Sequence, residues 1–89
     1  MGMPVVWETK ARDKFDRLIE KVPVFLREIA KDKVSKKAEI FAVQNGRAEI
    51  SEKDMVDAFF AETPFGFHGP MKCDMKECGV DYTSYGHCD

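Results

Sequence analysis

The chain lacks an excess of charge of either sign. Its 89 residues carry 14 Lys and Arg against 16 Asp and Glu, which gives a formal net charge of −2. Without a strong positive field, it has little electrostatic means of holding nucleic acid or an anionic membrane surface. We therefore expect neither nucleic acid nor a membrane among its partners.

Long apolar runs are missing as well. No uninterrupted apolar segment approaches the roughly 20 residues that span a bilayer. No basic stretch leads into an apolar segment at the N-terminus, as a signal peptide requires. We expect a cytoplasmic protein, in which the three cysteines are thiols or metal ligands rather than disulfides. The composition, 44% hydrophobic and 34% charged, favours one folded domain over a disordered chain.

Motifs of enzyme active sites are also absent from the sequence. There is no glycine-rich phosphate loop and no nucleophile elbow. Both histidines lie after residue 62, so the first two thirds of the chain offers no histidine to pair with an acid or a thiol. We expect no catalysis from this chain by itself.

The composition changes at about residue 62. Residues 4–62 contain neither Cys nor His, whereas residues 63–89 contain both His, all three Cys and four of the six Gly. The first part is predicted to be a helical domain, and the second a loop segment that docks on it or trails from it. The predicted fold class is all-α: a three-helix orthogonal small domain with an irregular Cys/His-containing C-terminal tail.

The first helix is predicted from its apolar period of 3.6 residues. Its apolar positions fall within an arc of about 100°, which is typical of a helix that packs one face. These positions are Ala11, Phe15, Leu18, Ile19 and Val22. Pro23 ends this helix and is well placed as the first residue of the next one, so the two helices are expected to meet at a sharp corner.

The second helix has a less regular pattern. It is predicted over residues 24–45, with Gly46 as a left-handed terminus. Its apolar residues spread over nearly half of the circumference, with Lys33 and Lys37 among them. Either the lysines lay their alkyl chains along an apolar face, or the helix breaks between residues 32 and 36. The irregular spacing favours the break.

The third helix follows a short extended connector, residues 47–50. Ser51 is a good N-cap, and Asp54 three residues later fits the capping pattern. Thr63-Pro64 is expected to stop the helix. Its buried stripe is predicted to consist of Met55, Val56, Phe59 and Phe60. The resulting three-helix body is expected to be marginally stable, so a partner, a dimer or a bound metal would be a natural supplement.

The order of residues along the body resembles a known small domain. The sequence reads Trp7-Glu8-Thr9-Lys10-Ala11, then Val22-Pro23-Val24-Phe25-Leu26-Arg27, then Ala38-Glu39-x-x-Ala42 with Gly46, then Ile50-Ser51 and Ala58. Over roughly residues 7–60 it is similar to the C-terminal domain of the B subunit of light-independent protochlorophyllide reductase. The interval from Arg27 to Glu39 is about one helical turn (3.6 residues) longer here than in that family.

This resemblance implies a non-catalytic accessory or binding module, at most a component of an oxidoreductase complex. Its partner would be a reductase-like protein or a tetrapyrrole-like ligand. The nitrogenase-like domain that supplies iron–sulfur ligands and the pigment cavity in that family is not part of this sequence, so no catalytic residue carries over. Trp7 and Phe25 are expected to be core anchors, with contact to a pigment or partner as the alternative. Arg27 is expected to lie on the helix surface or cap a helix, with contact to an acidic partner group as the alternative.

All five Cys and His lie within residues 68–89, an enrichment that suits metal binding. Zinc takes four N and S ligands, and three Cys with one His is an established structural set. The predicted ligands for Zn or Fe are Cys73, Cys78 and Cys88 with either His68 or His87. However, the spacing lacks CxxC and matches no common iron–sulfur pattern. A redox pair of Cys73 and Cys78, or unliganded thiols in a loose tail, are the alternatives.

Three functional hypotheses therefore stand side by side. The first is the binding module that the resemblance implies. The second is a small metal-binding or redox protein that acts through its tail. The third is a histone-like nucleic-acid binder, suggested by the order of Gly46, Ile50, Asp54 and Ala58, although the net charge argues against it.

Overall fold

The computed structural model describes residues 5–87. In this part of the chain, α-helices surround one apolar core, so the predicted all-α class is confirmed. The helices are α1 (Thr9–Lys21), α2 (Arg27–Gln44), α3 (Glu52–Glu62) and α4 (His68–Glu77), and the short strands are β1 (Val6–Trp7) and β2 (Glu49–Ile50). None of the helices in the described part is both long enough and apolar enough to cross a membrane.

The two strands join the beginning of the described chain to the connector between α2 and α3. They pair in parallel, with Trp7 opposite Ile50, and the amide of Glu8 donates to the Ile50 carbonyl at 3.0 Å. The Ile50 side chain is fully buried. The Trp7 ring packs on Phe15, with 4.6 Å between ring centroids. The predicted extended connector is confirmed, and Trp7 packs against the core as predicted.

Helix α2 is continuous, so the predicted break between residues 32 and 36 is wrong. The pattern looked irregular because the helix carries apolar side chains on two opposite faces. The face toward the core presents Val34, Ala38 and Ala42. The opposite face presents Ile29, Ile40 and Val43 to solvent. The spacing of apolar residues is regular on each face, and it looks irregular only when both faces are taken together.

The N-terminus of α3 has the predicted cap. The Asp54 amide donates to the Ser51 hydroxyl at 3.3 Å, and the Ser51 amide donates to the Asp54 carboxylate at 2.9 Å. Asp54 is buried, and Arg47 binds its other carboxylate oxygen. This buried charge is therefore paired and hydrogen-bonded, as its removal from water requires. Of the predicted stripe, only Phe60 is less than fully buried.

The tail that we predicted to be irregular contains a fourth helix, α4. Met71, Met75 and Cys78 recur at intervals of four and three residues and enter the core. The helix ends before Gly79, whose φ is +76°, and the Val80 amide donates to the Met75 carbonyl at 2.8 Å in a Schellman arrangement. Gly69 and Pro70 lie in the first turn of α4 and Gly79 just past its end, where they do not break the helix. The other glycines and the other proline of the tail lie outside α4, in or beside 3₁₀ turns.

Candidate functional site

Helices α1 and α2 meet at a proline corner formed by residues 22–27, the first corner. Val22 has an extended backbone and ends α1. Pro23 and a single 3₁₀ turn then lead into α2. Arg27, the first residue of α2, reaches back across the corner. Its Nε donates to the Val22 carbonyl at 2.8 Å and its Nη2 to the Glu20 carbonyl at 2.7 Å. These bonds cap the C-terminus of α1 and confirm the capping interpretation of this arginine.

The same backbone path recurs between α3 and α4, in residues 63–68, the second corner. Pro64 has φ −56° and ψ 143°, against −51° and 140° for Pro23. In each corner, the amide three residues after the proline donates to the proline carbonyl at 2.9 Å. His68 stands where the first corner has its arginine, with Nε2 2.9 Å from the Thr63 carbonyl. The chain thus uses one turn design twice.

Both corners direct large apolar side chains into solvent. Phe25 is 81% exposed and Phe65 is 88% exposed, so the prediction of Phe25 as a core anchor is wrong: its 3₁₀ turn aims it outward. We call the exposed apolar residues at the corners the corner face: Val24, Phe25, Leu26, Ile29, Phe65 and Phe67. With exposed fractions of 81%, 88% and 64%, Phe25, Phe65 and Phe67 together offer roughly 350–580 Å², since a whole aromatic side chain buries about 150–250 Å². Monomers rarely expose larger contiguous apolar patches.

An apolar groove of about 590 Å³ lies between the two corners. Residues of both corners and of all four helices line it. Its apolar lining includes Leu18, Leu26, Ile29, Ala30, Val34, Phe59, Phe67 and Met71, and its charged lining is Lys21, Lys33, Glu62 and Asp74. Lys21 is paired with Glu77 at 2.7 Å, and this pairing lowers the pKa of Glu77. A mostly apolar concave surface with a few charges is typical of a binding site.

The structure does not bring the predicted metal ligands together in the part of the chain that it describes. Cys73 is exposed on α4, whereas Cys78 is buried at its end. Among residues 5–87, no group of three or more Cys, His, Asp or Glu side chains is placed to hold a metal ion. Cys88 lies outside the described residues. Burial raises the pKa of the Cys78 thiol, which disfavours the reactive thiolate.

Both histidines of the predicted metal site have other partners. His68 contacts the Thr63 carbonyl, and the Nε2 of His87 lies 2.6 Å from the Asp57 carboxylate. The His87 ring also stacks on Phe60, with ring centroids 3.9 Å apart. Zinc or iron binding in the tail stays a prediction. Elemental analysis of protein purified without a His-tag tests it, and less than about 0.2 equivalents per chain would contradict it.

The segment after α4 returns to α3 and fastens there. Its 3₁₀ helix, Tyr82–Tyr85, buries the Tyr82 ring in the core. The Tyr85 hydroxyl donates to the Glu52 carboxylate at 2.6 Å. Burial, and secondly the hydrogen bond that the hydroxyl donates to this carboxylate, raise the pKa of Tyr85 to about 12. The tail is therefore an integral part of the domain.

Sequence reasoning missed the groove, although a signal for it was present. Each corner has a proline, a large apolar residue three positions later, and then a side chain that can donate to a carbonyl. The two segments are Val22-Pro23-Val24-Phe25-Leu26-Arg27 and Thr63-Pro64-Phe65-Gly66-Phe67-His68. The likeness was hidden because the second proline was interpreted only as the end of a helix.

Comparison with known protein families identifies the family of this chain. Residues 3–88 match the family described as "Protein of unknown function (DUF2621)". This match covers nearly the whole chain, which therefore belongs to that family. No curated protein and no solved structure is detectably similar to it.

Proposed function

We propose that this member of the DUF2621 family is a non-catalytic accessory or binding module that associates with a partner through its corner face. The observation that carries the proposal is the pair of corners, which leave Phe25 and Phe65 in solvent while Leu26 and Phe67 of the same turns line an apolar groove. Covering these side chains would recover hydrophobic free energy that the isolated chain leaves unused. The corner face therefore suits a surface that is buried in a complex.

The exposed phenylalanines contribute little to the packing of the core. Neither Phe25 nor Phe65 belongs to the core cluster. The turns are held by the prolines, by their backbone hydrogen bonds and by the capping side chains. The Phe65 ring contacts the His68 ring, with 5.4 Å between centroids, but most of its surface stays in solvent. The two outward phenylalanines therefore support a role outside the monomer.

The class of partner is proposed from two lines of support. The resemblance of residues 7–60 to the C-terminal domain of the protochlorophyllide reductase B subunit, which rests on the order of residues alone, supports a reductase-like protein. The groove volume of about 590 Å³ also lies within the roughly 300–1,000 Å³ of small-molecule pockets, which supports a tetrapyrrole-like ligand. Both occupants would use the same surface, so variants of the corner face affect either one.

Photocrosslinking in the cells that make the protein tests the module. A photoreactive phenylalanine analogue replaces Phe65, and the matched control places it at exposed Lys10 on α1, away from the corners. We expect a discrete adduct from position 65 but not from position 10, and its loss in the Phe25→Ser, Phe67→Ser background. An identical adduct pattern from both positions, or no adduct from position 65, would contradict the proposal.

Titration with protoporphyrin IX separates the two partner classes. If a tetrapyrrole occupies the groove, its absorbance band shifts on addition of the wild-type chain and shifts less with the Phe25→Ser, Phe67→Ser variant. A protein adduct from position 65 without any porphyrin shift assigns the corner face to a protein partner. A porphyrin shift without an adduct assigns it to the ligand.

A further inference from the structure

Helix α2 and Leu26, the last residue of the preceding 3₁₀ turn, carry a row of side chains on the side away from the core, apolar at both ends of the row. Its residues are spaced alternately by three and four positions, and we call them the outer seam: Leu26, Ile29, Lys33, Lys36, Ile40 and Val43. This spacing is the heptad pattern of a helix that pairs with another helix. From the first to the last residue, the seam extends about 26 Å at a rise of 1.5 Å per residue.

The outer seam is not needed to hold α2 in the domain. The opposite face, with Val34, Ala38 and Ala42, already packs in the core. The apolar residues of the seam, by contrast, are between 42% and 60% exposed. A helix with one satisfied face and one regular apolar face in solvent is suited to a second helical neighbour.

Two lysines occupy the centre of the seam, between its apolar ends. Lys33 has no hydrogen-bond or ion-pair partner among the described residues. Lys36 contacts Asp32 at 3.2 Å, but both side chains are more than 60% exposed, and such pairs stabilise a protein little. The seam therefore offers two cations that are available to a partner.

The position of these lysines disfavours a second copy of the chain as the partner. The midpoint of the seam falls between Lys33 and Lys36. In an antiparallel pair each Lys33 would face Lys36 of the other copy, and in a parallel pair each lysine would face its own counterpart. Facing like charges destabilise helix pairing. A helix with acidic residues at these positions would form ion pairs there instead.

The seam is continuous with the groove of the proposed binding module. Leu26, Ile29 and Lys33 belong to the seam and also line the groove, where Phe67 faces them from the second corner. A helix that lies along the seam can therefore place an apolar side chain from one of its ends into the groove.

We propose that the outer seam binds an amphipathic helix of another protein, with apolar residues at both ends of its contact face and acidic residues at the centre. This inference rests on the proposed function and names the chemistry of its partner. The apolar ends supply most of the hydrophobic free energy, and the central acids select the partner and exclude self-association.

Two synthetic helical peptides of about 20 residues, long enough to match the seam, test this proposal. Both carry leucine at the four outer core positions. One carries glutamate and the other lysine at the two central positions. By isothermal titration calorimetry with the full chain, we expect the glutamate peptide to bind at least about tenfold more tightly, with a preference that decreases at high salt.

A charge-reversal variant makes the test specific. We expect the Lys33→Glu, Lys36→Glu chain to prefer the lysine peptide by a similar factor. The matched control is Lys10→Glu, Arg17→Glu, which changes the net charge equally and also breaks one exposed pair, Arg17 with Asp13 at 3.4 Å. Its preference should equal that of the wild type. Circular dichroism confirms that each variant is folded.

Equal affinity of the wild type for the two peptides, or no reversal in the variant, would overturn the proposal. So would a dimer in sedimentation experiments that dissociates on Ile29→Ser, Ile40→Ser substitution, because a second copy would then cover the seam. Binding to phosphatidylcholine vesicles but to neither peptide would also overturn it. A discrete crosslink from position 65 with no peptide binding would keep the binding module and remove only this helical partner.

Discussion

The two corners have nearly the same backbone but carry different side chains. The middle residue of the 3₁₀ turn is Phe25 in the first corner and Gly66 in the second, and the capping donor is Arg27 in one and His68 in the other. Two different sets of side chains thus accompany the same backbone path. We infer that the path is determined by what the corners share, a proline and a side chain that donates back to a carbonyl. The residues inside the turn are therefore free to differ between the corners and to face solvent.

The helices that follow the two corners also differ. Helix α2 buries small residues, Ala38 and Ala42, and leaves its large apolar side chains outside, whereas α4 buries Met71 and Met75. Small side chains allow α2 to pack closely on α3, while the longer methionines fill the space beneath α4. The same corner can thus introduce a helix with an outward apolar face or one that only completes the core.

The largest expected effect tests whether the helix after the second corner is integral to the fold. Met75 is fully buried in α4, so Met75→Ala leaves a cavity and should lower the free energy of unfolding by about 2–5 kcal/mol. The matched substitution in α2, Ile40→Ala at an exposed position, should change the free energy of unfolding by no more than about 0.5 kcal/mol. Urea denaturation measures both. Similar values for the two variants would mean that α4 is not part of the core.

A smaller effect separates the two capping donors. Arg27→Ala removes two hydrogen bonds from a charged donor and should cost about 1–3 kcal/mol, because hydrogen bonds to charged groups are the stronger ones. His68→Ala removes one hydrogen bond and should cost about 1 kcal/mol. Arg27→Lys should recover only part of the loss, since lysine cannot present the same planar donor pair. A larger loss at His68 than at Arg27 would reverse the ranking.

The smallest effect concerns Tyr85, which lies in the segment after α4 and binds Glu52 at the start of α3. The folded state raises the pKa of Tyr85 to about 12, above its usual value near 10. The fold therefore favours the protonated phenol, so its contribution to stability is complete below pH about 10 and decreases as the pH rises toward 12.

Tyr85→Phe removes this titration, so the stability difference between wild type and variant should be constant below pH about 10 and shrink above it. Denaturation at several pH values measures the difference. A difference that grows between pH 10 and 12 would contradict the assignment.

Local rules succeeded wherever neighbouring residues decide the outcome. Ser51 with Asp54 predicted the start of α3, and Pro23 predicted the end of α1. The same reasoning failed at α2, whose two apolar faces sum to an untidy pattern, and at α4, whose glycines and proline suggested a loop. It also placed Phe25 in the core, because apolar character alone does not reveal which way a 3₁₀ turn points.

The helical class, the turn at Pro23 and the cap at the start of α3 follow from the order of amino acids alone, because these features depend on contacts between residues a few positions apart. The packing of the folded chain sets which face of α2 is buried, makes α4 complete the core, and brings the two corners to the border of one groove. Those outcomes depend on which surfaces of distant segments fit together. An apolar pattern in the sequence shows how much surface is to be buried but not against which segment it packs.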